Sequence, residues 1–264
     1  SPLLPLTPPS FLMSRLIVAF LLILIAASGL APQRPPDHLI MATMLCWSTA
    51  AFVLSVQGMG WKNAGLFFVL ALSAAFVAEY VGVNYLHLLT HQVQPQIANV
   101  PTAILLGWYV ALAASYALAS ALWRGVGAWG AAVGTGMVAT IYDLVVDPLG
   151  LAQGWWVWHQ GGSYAPSVLG ANNIAGIPWG NFVGWFVLAS GVTLLFEWLI
   201  QRERFYTVRF DLRWSALFYF ALCLPGITWA LFARQGSVLL TFLLPWGVLG
   251  LLTGWQLVRR SEAL

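Results

Sequence analysis

The sequence predicts an all-α polytopic membrane protein with about eight transmembrane helices. Three observations predict it. Only 7% of the 264 residues are charged and 60% are hydrophobic, where a soluble globular chain carries about 25% charge. Mean hydropathy is +0.82, and apolar runs of about 20 residues, long enough to cross a bilayer core as a helix, recur along the chain. These runs lack the alternation over about 10 residues that marks the strands of a transmembrane β-barrel.

The spans run at roughly 11–31, 39–57, 64–87, 101–123, 126–147, 176–199, 214–233 and 237–258. The first follows Arg15 with LIVAFLLILI and AASGLA, a pattern shared with signal peptides. It is read here as a retained spanning helix, with Met13 as an alternative start behind a Pro-rich leader, SPLLPLTPPSFL. PQRPPD separates it from the second span, GMGWKN the second from the third, QVQPQIANVP the third from the fourth and RGVG the fourth from the fifth. The sixth opens with GIPWGN, whose Pro178 suits a first helical turn. No internal repeat and no soluble segment is visible, so residues 1–264 read as a single transmembrane helical domain.

The cations orient the bundle. With eight spans, Arg15, Lys62, Arg124, Arg202, Arg204, Arg209, Arg213, Arg259 and Arg260 fall on one side and only Arg34 and Arg234 on the other. Nine against two is a positive-inside bias that predicts cytoplasmic termini and a multi-pass protein of a prokaryotic inner membrane. Scattered cations exclude a nucleic-acid-binding stripe. Cys46 and Cys223 lie singly in apolar runs and read as small core residues, not as a disulfide or a metal site.

That topology brings the remaining polar residues to one depth. Asp143 and Asp147 lie near the outer end of the fifth span, Glu79 in the outer half of the third, and Asn181 at the outer start of the sixth. The aspartates are four apart and share a helix face. Two ionised carboxylates in a low-dielectric setting would repel, so at least one is expected to keep its proton. Intramembrane carboxylates are costly and therefore functional candidates. Blander readings stand beside these: Asp147, before Pro148, as an interfacial helix end; Glu79 as a structural hydrogen-bonder among small residues; Glu197, near Arg202, as an interfacial residue; Asn172, Asn173 and Asn181 as structural amides. His87 and His91 are again four apart, a spacing that can bind a metal or a chlorophyll magnesium, and His159 follows WWVW; these three are weak ligand candidates beside interfacial roles. Most of the 15 Trp fit an interfacial belt, although WWVW also suits the lining of a flat conjugated ligand or of a developing cation.

Three blocks in order carry a family resemblance: AEYVGVNYLHLLTHQVQPQIANVPTAILLGW (78–108), YDLVVDPLGLAQGWWVW (142–158) and GIPWGNFVGW (176–185). They resemble the integral-membrane carotenoid biosynthesis family that includes carotenoid 1',2'-hydratases and bacterioruberin-pathway hydratases. The matching positions are Glu79, Gly82 and Tyr85; Pro95, Val100, Pro101 and Trp108; Asp143, Leu144, Asp147 and Pro148; Trp156 and Trp158; and Gly176, Pro178, Asn181, Gly184 and Trp185. VNYLHLLTHQVQ departs from the family's Gly- and Tyr-bearing stretch.

The resemblance implies addition of water across the terminal double bond of an acyclic carotenoid end, giving a tertiary alcohol. Asp143 would be the acid, Asp147 or Glu79 the partner that positions water, and Asn181 and Tyr85 would hold that water. Trp156, Trp158 and Trp185 would shield the cation, with Trp108 and Pro178 also against the substrate. The chemistry calls for no cofactor and no metal. The expected partners are a carotenoid substrate, membrane lipid and other pigment-protein or carotenoid-pathway subunits, not nucleic acid. The competing reading is a non-catalytic carotenoid- or (bacterio)chlorophyll-binding subunit of a photosynthetic complex. A proton-coupled transporter would call for broken midplane helices, and a prenyl-transferring enzyme for cations beside DLVVD.

Overall fold

The computed structural model describes residues 22–23, 25–30, 34–123, 125–170, 174–201 and 208–262. Among the described residues, six helical runs are long and apolar enough to cross a membrane: α1 (Asp37–Asn84), α2 (Thr102–Leu122), α3 (Gly127–Ala152), α4 (Trp179–Gln201), α5 (Leu212–Phe232) and α6 (Gly236–Glu262). At about 1.5 Å per residue, the 21 residues of α2 reach across the hydrocarbon core of about 30 Å.

The 48 residues of α1 are two helices folded back on each other at Gly60, whose φ of 76° and ψ of 160° are open to glycine and costly for other residues. Both ends of α1 meet the same loop: Asp37 accepts from the Gln94 backbone N–H at 3.2 Å, and Asn84 donates to the Ala98 carbonyl at 3.0 Å. Between the halves, Phe52 and Phe68 meet edge to face, with centroids 6.1 Å apart. The predicted second and third spans are these two halves. The predicted first span lies outside the described residues except at 22–23 and 25–30, as do Arg124, Arg202, Arg204, Asn172 and Asn173.

Among the described helices α2 is the most buried. Apart from Ser120, every residue from Trp108 to Leu122 is buried, and its many Ala residues let neighbouring helices approach closely. The fifth predicted span ends too early: α3 continues through Pro148 to Ala152. Proline lacks the N–H that would bond four residues back, and the carbonyl so released, that of Leu144, accepts the Tyr164 hydroxyl at 2.6 Å. A tertiary contact thus lets the helix run on, and Asp147 is an internal residue rather than a helix end.

One end of the bundle is capped by three two-stranded antiparallel sheets. β1 (Leu89–His91) pairs with β4 (Trp156–Trp158), β2 (Gln96–Ile97) with β3 (Val100–Pro101), and β5 (Tyr164–Leu169) with β6 (Ala175–Ile177). Arg34 lies here, donating to the Gln92 carbonyl at 3.0 Å and pairing with Asp37 at 2.9 Å. Ser167 joins the α5–α6 turn through Gln235 at 2.5 Å. At the other end, the carbonyl of Gly58 beside the α1 fold accepts the Arg209 N–H at 2.7 Å, and Asp211 caps α5 by accepting from the backbone N–H groups of Arg213 and Trp214.

Candidate active site

α3 carries Asp143 and Asp147 one turn apart on the same face, buried at 1% and 4% exposure. The first turn of α4 brings Asn181 against them. Its amide nitrogen donates to Oδ2 of Asp143 at 2.7 Å and to Oδ2 of Asp147 at 3.0 Å. One donor group therefore holds two carboxyl groups close together. Gly150 matters one turn on: a Cβ there would come within 2.2 Å of the Trp156 ring, so only glycine lets that indole lie against α3.

A second polar set comes from other elements. Glu79, in the second half of α1, accepts from the Trp108 indole N–H at 2.7 Å through Oε1 and pairs with His91 Nε2 at 2.8 Å through Oε2. Strand geometry delivers the histidine. In β1, Leu89 and His91 point inward while Thr90 is exposed, and the register sets Leu89 opposite Trp158 and His91 opposite Trp156.

Both sets line one cavity of about 110 Å³. Tyr142, Trp155, Trp156, Trp158 and the stacked pair Trp108–Trp185, 3.7 Å between centroids, supply its aromatic walls. Ile40 and Met44 from the first half of α1 close it. Buried and without a protein partner among the described residues are His91 Nδ1 and the indole nitrogens of Trp155 and Trp158. Just outside the spans, burial and then the nearby Asp143 and Asp147 push the Tyr164 phenol above its ordinary value.

The expected site residues divide clearly. Glu79, Asp143, Asp147, Asn181, Trp108, Trp156, Trp158 and Trp185 all border the cavity. Pro178 does not; it lines an adjoining groove. Tyr85 stands elsewhere, 67% exposed and packed edge-on against Tyr80, because α1 ends at Asn84 and releases it outward. It cannot hold water in the cavity. The helical spacing of His87 and His91 is also overturned, since neither lies on a helix. His87 is an exposed loop residue whose carbonyl accepts from His159 Nδ1 at 2.7 Å, leaving His159 Nε2 to the Thr90 hydroxyl at 2.7 Å. Among the described residues, no three His, Cys, Asp or Glu side chains gather to hold a metal. Glu197 is not merely interfacial, because it accepts the buried Tyr116 hydroxyl at 2.5 Å.

In the sequence His91 has only a weak ligand role, Trp155 enters only as part of WWVW, and Ile40 and Met44 do not enter at all. Nothing local marks Ile40 and Met44, which reach the cavity only because α1 folds at Gly60.

No curated protein and no solved structure is a match for this chain. A family model described as "Carotenoid biosynthesis protein" matches residues 39–248, from the first half of α1 into α6 and across every element that lines the cavity. This multi-pass membrane chain belongs to the carotenoid biosynthesis protein family.

Proposed function

We propose that the chain is a carotenoid hydratase that adds water to the terminal 1',2' double bond of an acyclic carotenoid end, giving a tertiary alcohol. The observation that carries this reading is the Asp143–Asn181–Asp147 cluster: two buried carboxyl groups, bridged by one amide, facing an aromatic cavity. An alkene is a poor base, so its protonation requires an acid kept from water. A carboxyl pair carrying one proton between them supplies an acid and a base side by side.

Asp143 donates its proton to the less substituted alkene carbon. The π electrons form the new C–H bond and leave a cation on the carbon bearing two methyl groups. A water oxygen gives a lone pair to that carbon, and the surplus proton passes to Asp147. Return of that proton to Asp143 restores the pair, and the net change is one added water. Asn181 holds both Oδ2 atoms in place through these steps. Faces of Trp156, Trp158 and Trp185 favour the cation by about 0.5–2 kcal/mol each where they meet it. Both Glu79 oxygens already have partners, which favours Asp147 over Glu79 as the group that positions water. Glu79 then serves to orient Trp108 and His91.

The pigment-holding alternative is not favoured, since His87 and His159 are exposed and outside the cavity, the His159 ring nitrogens are taken up by the His87 carbonyl and the Thr90 hydroxyl, and His91 Nε2 is committed to Glu79. The cation distribution supports cytoplasmic termini, and a prokaryotic inner membrane is part of the same proposal. Expression in a host that makes lycopene or γ-carotene tests the reaction. The expected result is a hydroxylated pigment on chromatography, lost in Asp143→Asn. Full turnover by Asp143→Asn would reject the assignment.

A further inference from the structure

The acid cavity is too small for the molecule whose end it is proposed to bind. A volume of about 110 Å³ equals that of several waters at about 10–15 Å³ each. It holds a branched chain end with a water beside it, not a long polyene. The remainder of the chain must leave, and the structure offers a path. A groove of about 340 Å³ lies between the second half of α1 and the start of α4, sharing Glu79, Leu89, Trp108, Trp158, Asn181 and Trp185 with the cavity.

Glycine makes the groove. Ala78, Gly180 and Gly184 are exposed along it, and a Cβ added at Gly180 or Gly184 meets no atom within 4 Å. At buried Gly82, an added Cβ meets only Leu89, at 4.0 Å. Side chains at these positions would occupy the space that is now open to the membrane. At the wall shared with the cavity, Trp158 is buried and its indole N–H has no partner among the described residues. An N–H lying against a conjugated chain gains a weak N–H···π contact that a saturated acyl chain cannot offer.

We propose that this groove is the binding site for the conjugated chain of the substrate, which slides sideways from the bilayer and places its acyclic end in the acid cavity. This rests on the hydratase reading of that cavity. Gly184→Phe fills the groove, and Gly191→Phe, at a position of the same helix that lies outside the groove and is equally open, is the control. Two measurements are made in lipid nanodiscs. The first is hydration of a full-length acyclic carotenoid and of a short acyclic terpene bearing the same alkene end. The second is quenching of tryptophan fluorescence by the carotenoid, which reads binding without turnover and is repeated in Asp143→Asn.

The expected result is that Gly184→Phe loses about tenfold to 100-fold in carotenoid turnover, the scale of a misplaced substrate, keeps terpene turnover, and weakens quenching in both backgrounds. Gly191→Phe should change none of these. Carotenoid turnover and quenching that survive Gly184→Phe, as they would if a membrane phospholipid filled the groove, overturn the proposal. So does equal loss of both substrates. A wild-type protein that hydrates nothing yet shows Gly184-dependent quenching would sink the hydratase reading and leave the groove standing.

Discussion

Two intramembrane carboxylate sites, one half-buried and one fully buried, lie within the same bundle and differ in kind. Toward the end with the α1 fold, Glu197 of α4 accepts one short hydrogen bond from Tyr116 of α2 at 2.5 Å, whose ring stacks on Phe67 and meets Phe196 and Phe210 edge to face. Toward the sheet-capped end, Asp143 and Asp147 share the single amide of Asn181 and face open volume. A carboxylate within the membrane is costly at either site, so cost alone does not mark function. What separates them is the open volume: Asp143 and Asp147 line a space that a substrate can fill, and Glu197 does not. Glu79 lies between the extremes: it borders the cavity, but both of its oxygens are committed.

Substitutions that keep shape while changing chemistry sharpen this contrast. Asp143→Asn should have the largest effect, removing hydration by about 10²–10⁴-fold, the usual scale for a general acid, while the purified protein keeps its thermal midpoint. A smaller loss is expected from Asn181→Leu. Releasing both carboxyl groups from a shared donor costs about 1–3 kcal/mol, which should appear as roughly tenfold to 100-fold slower turnover on pigment chromatography. Glu79→Gln keeps one acceptor for Trp108 and disturbs the His91 pair, so about a tenfold loss is expected. Tyr116→Phe should reverse the pattern: turnover within about twofold of wild type, with stability lower by about 1–3 kcal/mol as a hydrogen bond to a carboxylate is lost, read by thermal unfolding in detergent. Tyr85→Phe should change neither measurement. A Tyr116→Phe variant as inactive as Asp143→Asn would erase the distinction between the two sites.

Much of this architecture can be read without coordinates. Hydropathy alone identifies helices long enough to span a membrane, because every backbone group in lipid must be satisfied within its own segment. The i,i+4 spacing of Asp143 and Asp147 puts them on one face, and chain order alone puts Glu79 and Asn181 at their depth. The residue types required for protonation are visible in DLVVD and GIPWGN.

Position across elements was decided by tertiary structure. No local pattern shows that Tyr164 would cap the carbonyl released by Pro148 and so carry α3 past Asp147, or that α1 would fold at Gly60 and bring Ile40 and Met44 to the cavity. The 87–91 segment reads as well for a helix as for a strand. Pairing of β1 with β4 chose the strand, turned His91 inward to Glu79 and left Tyr85 and His87 outside. The reason is physical: helix formation in a bilayer is satisfied by near neighbours in sequence, whereas a cavity is the space left between segments that meet only after the chain has packed.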